Sequence, residues 1–125
     1  MSWLPPRAGG TIGMEREMTI RVGADGLQVD GRYWVPTDDL PTTEQLMTRL
    51  YQAYRAALAR WGRPPRRFYW VPVIRFVVFP GGLANYERVN RWLRKRGLRT
   101  TTRFELYDTA PREFRTENWH DTARP

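Results

Sequence analysis

The chain has 125 residues, 41% of them hydrophobic and 14% aromatic, which suits one domain with a packed core and excludes a disordered chain. It has no cysteine, so disulfides, thiolate metal sites and thiol catalysis are excluded together. The net charge is +8 and uneven, with six Arg against seven acids in residues 1–59 and fifteen cations against six acids in residues 60–125.

Every cation except Lys95 is arginine. That bias fits an anionic partner such as nucleic acid or a membrane surface, and equally a genome that uses Arg as its ordinary surface cation. The first residues show no basic region followed by an apolar stretch. The longest apolar run, residues 71–79, contains Pro72 and Arg75 and falls short of the roughly 20 residues that a bilayer requires. A cytoplasmic protein without a membrane span is expected.

Residues 1–15 hold Pro5-Pro6 and Gly9-Gly10 without an apolar period, which predicts a flexible arm. Met18, Ile20 and Val22 then alternate with Thr19 and Arg21, the period of a half-buried strand. Ala24-Asp25-Gly26 is a turn with Gly available for positive φ, Leu27 and Val29 begin the return strand, and Asp30-Gly31 turns the chain again. Residues 36–41 read as a loop. Thr42 with Gln45 fits a capping box, and Leu46, Met47, Leu50, Tyr51, Tyr54, Leu58 and Trp61 recur at helical spacing until Gly62 and Pro64-Pro65 stop the helix. Residues 73–79 are β-branched and aromatic, as a central strand requires, and Pro80-Gly81-Gly82 breaks them. A second helix follows from about Leu83 to Arg96, with Leu83, Tyr86, Val89 and Leu93 on one side, Gly97 as its cap and Leu98 beyond. Thr102, Phe104 and Leu106 alternate with Arg103 and Glu105 in a last strand.

The expected fold is α+β: a two-layer sandwich of β-β-α-β-α-β order, its two helices packed on one face of a three- or four-stranded sheet. The organisation is an arm at 1–15, one domain at 16–107 and a polar tail at 108–125, in which Phe114 and Trp119 stand out as candidates for docking on the body or on a partner.

Catalytic chemistry is sparse. The only serine, Ser2, lies in the arm, and the only histidine, His120, lies in the tail. A Ser nucleophile or His base within the body is therefore not expected, and one His without Cys cannot build a zinc site. Asp38-Asp39 is the one adjacent carboxylate pair; with Asp25 and Asp30 it would serve an enzyme only if the four converged on a pocket. Pro80-Gly81-Gly82 precedes a helix and reads either as an anion-holding turn or as a tight β-to-α turn. No catalytic residue, metal, cofactor or small-molecule substrate is expected.

Two groups carry a binding signal. Arg88, Arg91, Trp92 and Lys95 share the outward side of the second helix, beside Arg94 and Arg96, and either grip phosphates and stack a base or form a solvated charged face with Trp92 at its margin. Arg63, Arg66 and Arg67 lead into Tyr69 and Trp70, residue types that dominate binding hot spots, although the aromatics also suit the start of the central strand.

The layout resembles the extracytoplasmic domain of the ExbD/TolR energy-transducing proteins. Ile20-Arg21-Val22-Gly23-Ala24-Asp25-Gly26 is similar to that family's hairpin, residues 73–82 to its central strand and turn, and Asn85-Tyr86-Glu87-Arg88-Val89 with Gly97-Leu98 to its second helix and cap. The likeness spans about residues 18–107. The family's membrane helix with its proton-linked Asp has no counterpart, and Phe79-Pro80-Gly81-Gly82 replaces its acidic turn. The resemblance thus implies a fold and self-association or envelope contact, not transport. Together these features predict a non-enzymatic protein-interaction domain, a component or accessory subunit of a larger assembly, that binds another protein or a second copy of itself. The alternative is a basic nucleic-acid-binding module using the second helix and residues 63–67.

Overall fold

The computed structural model describes residues 2–38 and 42–106. Seven elements follow in chain order: β1 (Ile12–Val22), β2 (Gly26–Val29), β3 (Tyr33–Pro36), α1 (Thr43–Trp61), β4 (Phe68–Val78), α2 (Leu83–Lys95) and β5 (Arg99–Phe104). The strands form one mixed sheet in the order β3-β2-β1-β4-β5. β1, β2 and β3 pair antiparallel, whereas β1–β4 and β4–β5 pair parallel. Both parallel connections run in the same direction across the sheet, so right-handed crossovers place α1 and α2 on one face. This is the expected two-layer α+β sandwich, with five strands rather than three or four.

The extra strand is β3, which falls within a short stretch without clear alternation. The Val29–Arg32 turn builds it: Asp30 and Gly31 have φ of 58° and 69°, and Arg32 N donates to Val29 O at 3.0 Å. Two successive positive φ values are what a type I′ hairpin needs. Gly26 serves a different purpose from the one its sequence suggests. Its φ is not positive; it opens β2, where a Cβ would lie 2.6 Å from Val35 O and against the Trp34 ring.

α1 begins as its sequence predicts. Gln45 N donates to Thr42 Oγ1 at 3.1 Å and Thr42 N donates to Gln45 Oε1 at 3.3 Å, the reciprocal bonds of a capping box. α2 ends as predicted too. Gly97 takes φ 88°, its N–H reaches Arg94 O, Leu98 N–H reaches Leu93 O, and Leu98 is buried. That pair of bonds is a Schellman motif. Leu83, expected on the buried side, is instead 52% exposed, because α2 turns only Val89 and Leu93 fully into the core.

The core lies between the helices and one sheet face. Met18, Ile20 and Val22 of β1 and Ile74, Phe76 and Val78 of β4 meet Leu46, Met47, Leu50 and Tyr54 of α1 and Val89 and Leu93 of α2. The other face carries Arg21, Arg75, Arg99 and Arg103 around Val73 and Val77. β1 and β4 continue below the other strands as a two-stranded ribbon, because β2 pairs only with residues 20–22 of β1 and β5 only with residues 73–78 of β4. Pro72 sits where the β5 ladder stops. The alternation set by Phe79 N to Val22 O directs Pro72 away from β1, so the N–H it lacks is not needed for the β1 ladder.

The predicted arm needs correction. Ile12 already belongs to β1, and Trp3 is 2% exposed, inserted between the helices. Its ring lies 4.9 Å from Tyr51, 5.1 Å from Tyr54 and 5.6 Å from Trp92, centroid to centroid. Tyr54 Oη donates to Trp3 O and Tyr51 Oη donates to Ser2 O. One aromatic ring among prolines and glycines gives no periodic signal, yet burying it recruits the whole segment. The predicted tail at 108–125, with Phe114, Trp119 and His120, lies outside the described residues. Trp3→Ala is expected to cost about 3–5 kcal/mol of unfolding free energy and Tyr54→Phe about 1 kcal/mol, measured by urea denaturation followed by circular dichroism.

Candidate functional site

The segment joining α1 to β4 is a built structure. Gly62 leaves the helix with φ 70°, and a turn at residues 65–68 closes with Phe68 N donating to Pro65 O at 2.9 Å. Arg67 occupies the third position of that turn with φ 74°, a conformation that favours glycine. Its carbonyl accepts from Thr11 N and Ile12 N at 2.9 and 3.0 Å, which ties the connector to the start of β1. A matching turn at residues 7–10 closes with Gly10 N donating to Arg7 O at 2.7 Å, with Ala8 at φ 48°.

Between the two turns and the end of α1 lies a cleft of about 790 Å³. Of the candidates read from the sequence, Arg63, Arg66, Arg67 and Trp70 line it. Arg7 and Arg55 join them, although nothing in the sequence marked either one, because only the docked N-terminal segment brings Arg7 there. Tyr69 does not face the same way as Trp70. Successive strand residues point to opposite sides, and Tyr69 lies on the face away from the helices, stacked under the Arg7 guanidinium at 4.6 Å. Trp70 packs edge-on against Trp61 at 5.6 Å and donates its indole N–H to Gly62 O at 2.9 Å. Arg16 lies over both indoles, 4.8 Å from Trp61 and 5.4 Å from Trp70.

The α2 group divides. Arg91 and Lys95 are exposed as expected, whereas Arg88 is half-buried and its Nε donates to Thr43 Oγ1 at 3.0 Å, linking the two helices. Trp92 is half-buried, edge-on to Trp3 and covered by Arg96 at 4.0 Å, so it belongs to the packing between the helices. The concavities along α2 share no lining residue with the cleft, so the two basic groups form separate surfaces.

Pro80-Gly81-Gly82 is a tight turn. Gly81 has φ 89°, and a Cβ at Gly82 would stand 2.5 Å from Val22 O. Asn85, in the first turn of α2, donates through Nδ2 to Gly23 O, Ala24 O and Thr37 Oγ1 at 3.0 to 3.2 Å, pinning the β1–β2 turn to the helix. The carboxylates do not gather. Asp25 and Asp30 stand at opposite ends of β2, Asp38 is exposed, and Asp39 lies outside the described residues. No cluster of three His, Cys, Asp or Glu side chains suited to a metal occurs among the described residues. No described helix is long and apolar enough to cross a membrane. No protein-family model, curated protein or solved structure matches the chain. What the geometry defines is therefore a class: a mixed five-stranded α+β sandwich with an arginine-lined cleft at one end of its first helix.

Two consequences can be measured. Trp92→Ala is expected to destabilise the fold by about 2 kcal/mol, whereas Arg91→Ala with Lys95→Ala changes stability by less than about 0.5 kcal/mol, both in urea denaturation. Burial raises the pKa of Asp30 above 3.8, against the opposing charges of Arg32, Arg16 and Arg60. The folded state then binds more protons than the unfolded state just above that pH, so this residue lowers stability as pH rises through the window. Asp30→Asn, which cannot ionise and tolerates positive φ, should remove that component, so that the variant's stability relative to wild type increases from about pH 4 to about pH 7.

Proposed function

We propose that this domain is a non-enzymatic protein-interaction module that assembles through the outer edge of β5, pairing with a second copy of itself within a larger assembly. The observation that carries this reading is the character of that edge. β5 is six residues long, Arg-Thr-Thr-Thr-Arg-Phe, and pairs on one side only among the described elements. Glu105 N donates to Val78 O, so by alternation Thr100, Thr102 and Phe104 present their backbone N–H and C=O groups outward. An unpaired row of this kind is a template for another strand.

The edge has the composition to use that template. Threonine favours strands, and neither proline nor a carboxylate interrupts the six residues. Apolar surface gathers at its end: Phe104 is 53% exposed and Leu106 84%, with exposed Leu83 at the adjacent start of α2. By contrast, β3 at the opposite edge has four residues and ends in Pro36. Two copies joined β5 to β5 would form a two-fold symmetric interface and one continuous sheet. The resemblance to ExbD/TolR domains, which implies self-association, supports the same reading.

The nucleic-acid alternative draws less support from the geometry. Base recognition on single strands uses open aromatic faces, whereas Tyr69, Trp61, Trp70 and Trp92 each already carry an arginine on the ring.

Sedimentation equilibrium over a concentration series tests the proposal. The wild type should associate. Thr102→Pro, which deletes an outward N–H together with the hydroxyl bonded to Tyr86 Oη at 2.8 Å, should abolish association while melting close to Thr102→Val, which loses the same hydroxyl. Thr102→Val should retain association, and Thr101→Pro should instead destabilise the fold by about 3 kcal/mol through the lost β4 ladder. A wild type that stays monomeric at the highest concentration refutes the reading.

A further inference from the structure

The cleft between the N-terminal segment and the α1–β4 connector stands on observations independent of the β5 edge. Five arginines line it, Arg7, Arg55, Arg63, Arg66 and Arg67, all of them exposed, and its lining contains no acidic residue. Like charges crowded in one concavity raise each other's free energy and gain from an anion that neutralises them. Arginine is suited to that anion because its planar fork meets a carboxylate or phosphate with two parallel hydrogen bonds. Arg7 lines it through the docked N-terminal segment, with its guanidinium held over the Tyr69 ring at 4.6 Å.

The scaffold is set for a ligand as well. Of the three non-glycine residues with positive φ in the described chain, Ala8 and Arg67 both border this cleft, one in each of the facing turns. Residues held in sparsely populated backbone regions persist where the surrounding structure dictates them, and they concentrate at binding sites. Here the strained conformation of Arg67 aims a guanidinium-bearing side chain from a position that glycine would fill at lower cost.

The interior of the cleft selects among anions. Leu58, Ala59 and the prolines at 5, 6, 64 and 65 supply aliphatic surface, and its volume lies within the range of ligand clefts. Trp70, the one indole on its wall, spends its N–H on Gly62 O and an edge on Trp61. A nucleic-acid strand would ask for stacking faces and a continuous basic track, and the α2 cations line other concavities. Carboxylates alternating with aliphatic side chains match both the arginine rim and the apolar interior. We infer that the cleft binds an extended acidic peptide segment of a partner protein, with its carboxylates on the arginine rim and its aliphatic side chains against Leu58 and the prolines.

The test is fluorescence polarisation with three labelled probes of equal length on the full chain: a Glu/Leu peptide, a Lys/Leu peptide and a single-stranded oligothymidylate. The Glu/Leu peptide should bind, more weakly at physiological than at low salt, and the Lys/Leu peptide should not. Arg63→Ala with Arg66→Ala should weaken binding at least about tenfold, the scale of one lost charge-assisted hydrogen bond. Arg91→Ala with Lys95→Ala should leave it unchanged. Arg67→Gly separates binding from folding, since its melting temperature should be at or above that of the wild type while the Glu/Leu peptide binds more weakly. Thr102→Pro should bind the peptide like the wild type, so failure of the β5 edge and failure of the cleft are distinguishable. The inference is overturned if the Glu/Leu peptide fails to bind, if oligothymidylate binds as tightly, or if the α2 variant loses as much affinity as the cleft variant.

Discussion

The structure depends on one side chain that sits outside every regular element. Trp3 fills the space between α1 and α2, touching Tyr51 and Tyr54 on one helix and Trp92 on the other. Its indole N–H is buried without a hydrogen-bond partner among the described residues, a cost of about 1–3 kcal/mol. Burying an indole of about 200 Å² at about 25 cal/mol per Å² contributes about 5 kcal/mol, so the apolar term outweighs the orphaned donor. The two tyrosine hydroxyls then hold the backbone of residues 2 and 3 by their carbonyls. Burial shifts the Tyr54 phenol pKa well above its ordinary value. Without that wedge the helices would lack their common filler, and residues 5–10 would have no anchor from which to form one wall of the cleft.

Arginine serves two purposes in this molecule, and its location separates them. Arg7, Arg16 and Arg96 lie over aromatic rings, 4.0 to 5.4 Å from the ring centroids, where the guanidinium acts as packing surface as much as charge. Arg63, Arg66, Arg91 and Arg94 are exposed in loops or on a helix face. Net charge alone cannot distinguish these groups. The sheet and helix positions that bring rings and guanidinia together are what make part of the charge structural.

Elements defined by local pattern were legible in the sequence. The capping box at Thr42, the helical stripe of α1, the Schellman end at Gly97 and the Asp30-Gly31 turn all follow from residues within a few positions of one another. Features that depend on distant partners were not. The lower half of β1 exists because it pairs with β4, Ile12 lying opposite Phe68, and its Ile12, Met14 and Glu15 show no core periodicity because no helix face demands it. Phe68, Tyr69 and Trp70 open β4, one of the two readings that their sequence allows. The arginines at 63, 66 and 67 were visible as a cluster, whereas the cleft was not, since one of its walls comes from a segment whose only cue is a single tryptophan.

The position of β1 has a consequence for how the chain is made. β1 leaves the ribosome before the other four strands of the sheet and is one of the two strands that it is built around, with β2 on one side and β4 on the other. The β1–β2–β3 meander can close early through local turns, but its β4 side stays unpaired until residues 68–78 have been synthesised. During that interval an eleven-residue strand edge is available to other nascent chains. Glu15, Arg16 and Glu17 stand in the middle of it as three consecutive charges, the kind of gatekeeper that discourages indiscriminate strand pairing. In the finished protein Glu15 pairs with Arg99 and Arg16 covers Trp61 and Trp70; before β4 is made, the same three charges guard an open edge.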